Sequence, residues 1–508
     1  MTFQEPMTAL NPVFTIERQL TDGMMLHKGI GQKEAISRAL AFLQSARIPE
    51  PERRLRQYPH ELSGGMRQRV VIAMAMACEP KLPIADEPTT AIDLTIQAEI
   101  LALINRLKRK NGMAVLFITH DMAVVAQMAD RVVVMYQGRI VETGTVQQIF
   151  ENPRENYTKT LLAAVPKLGE MTGKPAPELV RLIGDEAAWA AQRAAKTAAH
   201  PRKPEVLPEV KNLTTRFPVK GGILRRTVTQ VHAVKDVSFK LNVGETLALV
   251  GESGCGKSSC GRSILRLIEP TSGEVWIGGR DIGALNHHDL RRARADMQMV
   301  FQDPFASLNP YRRLKAQVAE SIQNIGLATG AELDARVPQL SERVRLPRDF
   351  MNRFPHELSG GQRQRVAIAR VLAVNPKLSV ADEAVSALDV SVQAQVLNLM
   401  MELQADLGLS YLFISHDMAV VEQVAHQVGV MYLGRIVEVG PRAAVFDTPS
   451  HPYTRTLLSA VPVARPTRRR FGNALNFKPI SSPIFPLGHK PAPSIYTKVG
   501  PGHYVLQA

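Results

Sequence analysis

The chain has 508 residues, 45% of them hydrophobic and 21% charged, with a formal net charge of +15. This composition excludes a disordered chain and leaves room for two or three domains. No apolar run is long enough to span a membrane, and the start, MTFQEPMTALNP, lacks the basic-then-apolar pattern of a signal peptide. Cys78, Cys255 and Cys260 form neither a disulfide framework nor a metal-spaced set, which suits the cytosol. The basic balance fits nucleic acid, an anionic membrane surface or a solvated face, and does not choose among them.

In chain order, the first organised stretches are FQEPMTALNP (3–12), YPHELSGGMRQRVVIAMAMACEPKL (58–82), FITHDMAVV (117–125) and YTKTLLAAVP (157–166). The first returns as FQDPFASLNP (301–310). The others return as FPHELSGGQRQRVAIARVLAVNPKL (354–378), FISHDMAVV (413–421) and YTRTLLSAVP (453–462), all at an offset of 296. Such an internal repeat predicts two copies of one domain. Between them, 167–205 is rich in Ala, Pro and charge and reads as a linker, although AAWAAQRAAKTAA (187–199) has helical composition. The second copy has a front section, from about Val206 to Gln302, roughly 90 residues longer than anything before Gln4. The spacing therefore predicts a first domain truncated at its N-terminus, with Met1 an internal methionine taken as the start or the gene damaged. After Ala464, RPTRRRF and a Pro-rich stretch read as a mostly irregular basic tail, solvated or lipid-facing rather than a nucleic-acid site.

The front section carries the most specific motif. GESGCGKSS (251–259) fits the phosphate-binding P-loop, with an apolar strand, TLALV (246–250), before it and a helical pattern after it. Gly251, Glu252, Ser253, Gly254, Cys255, Gly256, Lys257, Ser258 and Ser259 would wrap a nucleotide's phosphates with backbone N–H groups at a helix N-terminus. Lys257 would bridge the β- and γ-phosphates, and the Ser258 hydroxyl would face Mg²⁺. Cys255 reads as a small residue filling a serine-sized place rather than as a reactive thiol.

LSVAD (378–382) is an apolar strand ending in Asp382, and Glu383 follows. Taken alone this is an ordinary strand end. In a phosphate-binding chain, Asp382 would hold Mg²⁺ through water and Glu383 would polarise the attacking water. In LSGGQRQR (358–365), Ser359, Gly360 and Gly361 would set a hydroxyl and bare amides at a helix N-terminus. Ser63, Gly64 and Gly65 repeat the pattern. His416 follows the apolar LFIS, as His120 does in the first copy, and a neutral imidazole there would bond the γ-phosphate. Gln302, at another strand end, would contact Mg²⁺ or the water, and Asp389 in SALD would shape the site across an interface.

Together these motifs resemble those of ATP-binding-cassette ATPases. FQDPFASLNP and HPYTRTLLSAVP are similar to the oligopeptide, dipeptide and nickel importer branch. The two fused copies, EAVSALD (383–389) and VGPGHYV (499–505), resemble its two-cassette, glutathione-importing members. The resemblance implies an α/β fold with two P-loop NTPase (RecA-like) nucleotide-binding domains and helical subdomains, the first lacking its P-loop and N-terminal β-subdomain. The expected limits are 1–166 for the first domain, 167–205 for the linker, 206–464 for the second domain and 465–508 for the tail. It further implies ATP and Mg²⁺ as cofactors and ATP hydrolysis coupled to peptide uptake, glutathione-like. The partners would be two transmembrane permease subunits and a periplasmic binding protein, with the chain peripheral on the cytoplasmic face of a bacterial inner membrane and no nucleic acid bound.

In such ATPases each ATP lies between one P-loop and the opposite signature. One composite site is therefore expected, from Gly251–Ser259, Gln302, Asp382, Glu383 and His416 with Ser63, Gly64 and Gly65. The other would leave Gln4, Asp86, Glu87 and His120 without a phosphate cradle. Pro83 in LPIAD is out of place in a central strand, and Met66 replaces the signature glutamine found at Gln362. Phe217 and His232 are the candidates to stack on adenine. The tail lacks cysteine, so no iron–sulfur cluster is expected. The alternatives are an inactive remnant of such a subunit, or a soluble cassette ATPase acting on nucleic acid or the ribosome.

Overall fold

The structure, a computed structural model, describes all residues except 3–8, 90–92, 183–204, 222–225, 469–482, 490 and 508. Gln4, the 187–199 stretch and much of the basic cluster after Ala464 lie outside the described residues. The chain divides into two units, Met1–Thr158 with Ala460–Ala474, and Lys159–Ser459 with Leu475–Ala508.

The first unit has β1 (Ile84–Asp86), β2 (Leu116–Ile118), β3 (Arg131–Tyr136) and β4 (Arg139–Thr145). β1 and β2 form one parallel pair, β3 and β4 a separate antiparallel pair. Thr2 bridges to Ala85 on the far side of β1. Pro83 has no N–H to give at the start of β1, which spans three residues, although its carbonyl still accepts from Leu116 N–H at 3.1 Å. The core of this unit is helical: Ile16, Leu20 and Met24 of Ile16–Lys28 and Ala35, Ala39 and Leu43 of Gln32–Ser45 bury against Val70 and Ile72 of Gly64–Met76 and Ile104 of Leu94–Asn111. The apolar spacing of Ile16–Lys28, Gln32–Ser45 and Leu94–Asn111 is the period of one helix face, whereas Gly64–Met76 is buried nearly all round.

The second unit contains β5 (Val206–Gly221), β6 (Arg226–Asn242), β7 (Thr246–Val250), β8 (Ser272–Ile277), β9 (Arg280–Asp281), β10 (Met297–Val300), β11 (Leu378–Asp382), β12 (Ser410–Ile414), β13 (Gln427–Tyr432) and β14 (Arg435–Pro441). The tail adds β15 (Ile484–Pro486), β16 (Tyr496–Gly500) and β17 (His503–Leu506). One eight-stranded sheet runs β10-β11-β12-β7-β13-β14-β17-β16, parallel from β10 through β13. β7, β11 and β12 are buried along all five residues, as continuous apolar strands covered on both faces must be. A five-stranded antiparallel sheet, β15-β6-β5-β8-β9, shares its core with the first through residues such as Val237, Leu249, Cys260 and Val380. Open parallel sheets bind ligands beyond the carboxyl ends of their strands. β7, β11 and β12 deliver the P-loop, Asp382–Glu383 and His416 to that end.

Two expectations change on sight of the structure. Residues 167–182 are not free linker but lie along the second unit. Gly169 N–H donates to Glu422 at 2.7 Å, Val180 exchanges two 2.8 Å hydrogen bonds with Asn398, and Met171 is buried. The end of the tail is likewise not irregular: β16 and β17 form a hairpin turning at Pro501–Gly502, and β17 pairs with β14. Tyr496 Oη donates to Ile436 O at 2.7 Å, and His503 bonds the buried Glu438 at 2.7 Å. Pro-rich composition masked a hairpin whose partner strand lies some sixty residues away.

Candidate nucleotide site

The P-loop backbone demands its glycines at two places. Gly251 (φ +146°) and Gly256 (φ +108°) lie in conformations that L side chains rarely adopt. A Cβ would fall 2.2 Å from Met431 O at the first and 2.1 Å from Ala233 O at the second. Lys257, at the N-terminus of Lys257–Ile264, is buried and folds over the loop, donating to Gly251 O at 2.6 Å and Glu252 O at 3.0 Å. Cys255 is buried in the core, in line with the small-residue reading. Ser253 and Gly254 are exposed at the tip, and Ser259 lies one residue into the helix beyond Ser258.

The Ser258 hydroxyl donates to Asp382 Oδ1 at 2.7 Å, so strand end and loop are in direct contact. Asp382 is fully buried, and its Oδ2 accepts no hydrogen bond, with Arg262 Nη2 3.7 Å away. Burial raises its carboxyl above the ordinary value, against the Ser258 hydrogen bond and the Arg262 charge. Arg262, one helical turn past Ser258, is not legible in the sequence, where nothing distinguishes it from a surface arginine.

Glu383 is the centre of the constellation. Gln302 Nε2 donates to its Oε2 at 2.7 Å, and His416 Nδ1 is 3.4 Å from its Oε1. Burial works to raise the Glu383 carboxyl, but the His416 hydrogen bond and charge, with Lys257 and Gln302, overcome it and hold it below the ordinary value. For His416, burial lowers the pKa and the same pairing, aided by Asp417, reverses this, leaving it above 6.5. The neutral imidazole expected from sequence is thus not what this pairing favours. Glu383 also has left-handed backbone, φ +48°, held by its N–H bonding to Ile414 O at 2.9 Å. Glu87 repeats the geometry at φ +44°, bonding Ile118 O at 2.9 Å, and His120 Nδ1 lies 2.9 Å from Glu87 Oε1.

In the second unit Ser359 caps Gly360–Leu372 by accepting from Gln362 N, and Gln362 returns a bond to Ser359 N at 2.9 Å. In the first, Ser63 caps Gly64–Met76 alone, because Met66 has no group to reciprocate. The second glycine of each signature is a packing requirement. A Cβ on Gly361 would meet Val392 at 2.2 Å, and one on Gly65 would meet Ile96 at 2.8 Å, whereas Gly64 faces open space. Asp389 is exposed at the N-cap of Val390–Leu407 and makes no side-chain cap bond. His232 is fully buried beneath Phe485, ring centroids 4.9 Å apart, which removes it as an adenine platform; Phe217, on β5, remains about one-third exposed, at 36%.

Against protein families, the description "ABC transporter" matches residues 1–90 and 234–386, and "Oligopeptide/dipeptide transporter, C-terminal region" matches 141–187 and 437–482. Proteins named glutathione import ATP-binding proteins are similar over the whole chain. The one from Escherichia coli O157:H7 is 54% identical over 509 residues, that from Salmonella paratyphi A 53% over 510, and that from Shigella flexneri 53% over 519. In each case this is 100% of this chain and 81% of the relative. A solved cassette from Clostridium perfringens, part of an ABC transporter complex, aligns at 26% identity over 48% of this chain and 92% of its own, with a TM-score of 0.42. The chain belongs to the ATP-binding proteins of ABC transporters, of the oligopeptide/dipeptide group, and is an ATP hydrolase of that family.

Proposed function

We propose that the second unit hydrolyses ATP to drive import of a small peptide, glutathione, through separate permease subunits fed by a periplasmic binding protein. The observation that carries the chemistry is Glu383, held between Gln302 and His416 beside Lys257 and the Ser258–Asp382 pair. In this reading Glu383 accepts a proton from water as the water oxygen bonds the γ-phosphorus and the bridge to the β-phosphate breaks. Lys257 offsets phosphate charge. The signature residues Ser63, Gly64 and Gly65 are the groups the family pattern would bring to the γ-phosphate.

The residues present fit Mg²⁺. A hydroxyl, a carboxylate with one oxygen outside any hydrogen bond and an amide oxygen are hard donors, the kind that hold this ion partly through water. Ser258, Asp382 and Gln302 would hold it, and it would supply charge compensation between the phosphates.

Glutathione as cargo rests on relatives 53–54% identical over the whole chain. The nucleic-acid alternative gains nothing from them, since the ends of both copies match a transporter region. No helix among the described residues is long and apolar enough to cross a membrane, which suits peripheral attachment at the cytoplasmic face. The test is reconstitution of the chain with its permeases and binding protein in vesicles. Glutathione, and not an unrelated dipeptide, should stimulate ATP turnover and accumulate. Stimulation by the dipeptide alone would overturn the cargo, and turnover surviving Glu383→Gln would overturn the base.

A further inference from the structure

The phosphate loop is braced from outside as well as shaped by its glycines. The turn between β13 and β14 donates Gly434 N–H to the Cys255 carbonyl at 2.8 Å. From another direction, the Glu252 amide donates to the hydroxyl of Tyr453 at 3.1 Å, across 201 residues. Tyr453 stands at the start of Pro452–Ala460, fully buried, with its ring 4.5 Å from that of Tyr432. The helix start is itself fixed. His451 Nδ1 accepts the Tyr453 amide at 3.1 Å, and Glu438 of β14 accepts the Ser450 and His451 amides at 2.8 and 2.9 Å. An acceptor so placed does not drift, so the amide it holds does not either.

We propose that Tyr453 is a positioning residue for the phosphate loop. Its hydroxyl fixes the Glu252 peptide at the loop's entry, so that the amides after it face the phosphates before nucleotide arrives. A loop ordered in advance loses less freedom on binding, and the difference is read as affinity. The first copy supplies an internal control. There Glu142 accepts the Arg154 and Glu155 amides at 2.8 and 3.2 Å, and Tyr157 lies 4.3 Å from Tyr136. The same clamp is thus built where the described residues include no P-loop. The clamp seats the helix in both copies, and in the second the tyrosine hydroxyl also accepts the Glu252 amide of the loop.

The inference rests on reading Gly251–Ser258 as the phosphate loop, so the experiment separates the two. MgATP affinity is measured on the full chain by nucleotide titration for wild type, Tyr453→Phe, Tyr157→Phe and Lys257→Ala. Tyr453→Phe keeps the ring and removes the hydroxyl that accepts the Glu252 amide, and should weaken MgATP by about 3- to 10-fold. Its kcat at saturating ATP should stay within about two-fold of wild type, the signature of lost binding rather than lost chemistry. Its nucleotide-free melting temperature should hold within about 2 °C, and the Glu252 amide should exchange faster. Tyr157→Phe should leave the affinity unchanged. Unchanged affinity in Tyr453→Phe, or an equal loss in Tyr157→Phe, overturns the inference. If Lys257→Ala binds MgATP as wild type does, the loop reading itself fails instead.

Discussion

The two copies share nearly the same strand sequences and bury them very differently. Leu412, Ile414, Met431 and Ile436 of the second are 1%, 0%, 0% and 0% exposed. Their counterparts Leu116, Ile118, Met135 and Ile140 are 49%, 44%, 58% and 66% exposed. The difference lies in the front section, whose β5–β6–β8 sheet and Lys257–Ile264 helix share one core with these residues in the second unit. In the second unit β7 lies between β12 and β13 and joins the halves of the sheet, whereas among the described residues of the first the halves remain two separate pairs. Caps, turns and even the left-handed glutamate form in both. Local sequence is therefore enough to shape the turn at the glutamate, and the front section's strand, helix and second sheet are needed to turn those pieces into a core.

The largest effect expected from this contrast is on turnover. Glu383→Gln should cut ATP hydrolysis by about 100-fold or more while nucleotide binding persists, and Glu87→Gln should leave the rate nearly unchanged, both read by steady-state phosphate release. Equal losses would mean that the first glutamate also works. Next comes local stability. Amides of β2 and β3 should exchange about 100-fold faster than those of β12 and β13 in hydrogen-exchange mass spectrometry, and equal protection would show that the first sheet is closed by other means. Gly361→Ala should then lower stability by about 1–3 kcal/mol through the Val392 clash, and more than Gly65→Ala, whose neighbour is the end of a flexible isoleucine side chain.

Smaller still is the effect of Met66→Gln, which restores the reciprocal cap and should stabilise its helix by about 0.5 kcal/mol in denaturant unfolding. The pH dependence is of similar size. His416 has its pKa raised above 6.5 by Glu383, so its contribution is fully present below pH 6.5 and fades as pH rises through the raised value. The stability gap between wild type and Glu383→Gln, about 0.5 kcal/mol for a partly exposed pair, should narrow across that interval. A gap constant with pH would mean that the pair is not ionic.

Much of this site could be read from the residues alone, because phosphate chemistry imposes short, fixed spacings. The P-loop, the carboxylates ending β11, the signature and the histidine after β12 each carry their own strand or helix context. What could not be read is what distance in sequence hides. Gln302 reaches Glu383 across 81 residues, and Asn398 holds Val180 across 218. The upward shift of the His416 pKa was hidden for the same reason, since its neighbour Glu383 comes from a different strand. Pro83 was legible as a misfit, and the structure gives its cost: a strand of three residues in place of five.

The left-handed turn at Glu383 also bears on how this protein would respond to selection for heat resistance. A residue with a side chain at φ +48° carries strain of about 1 kcal/mol or more, and glycine or asparagine would relieve it. Directed evolution scored only on thermal survival should therefore discard this glutamate early, along with Glu87, as two equivalent easy gains. On the proposed reading of Glu383 as the base, only the loss at position 383 would extinguish turnover. A library screened for survival and turnover together should diverge at these two sites, and that divergence would show which copy is under catalytic constraint.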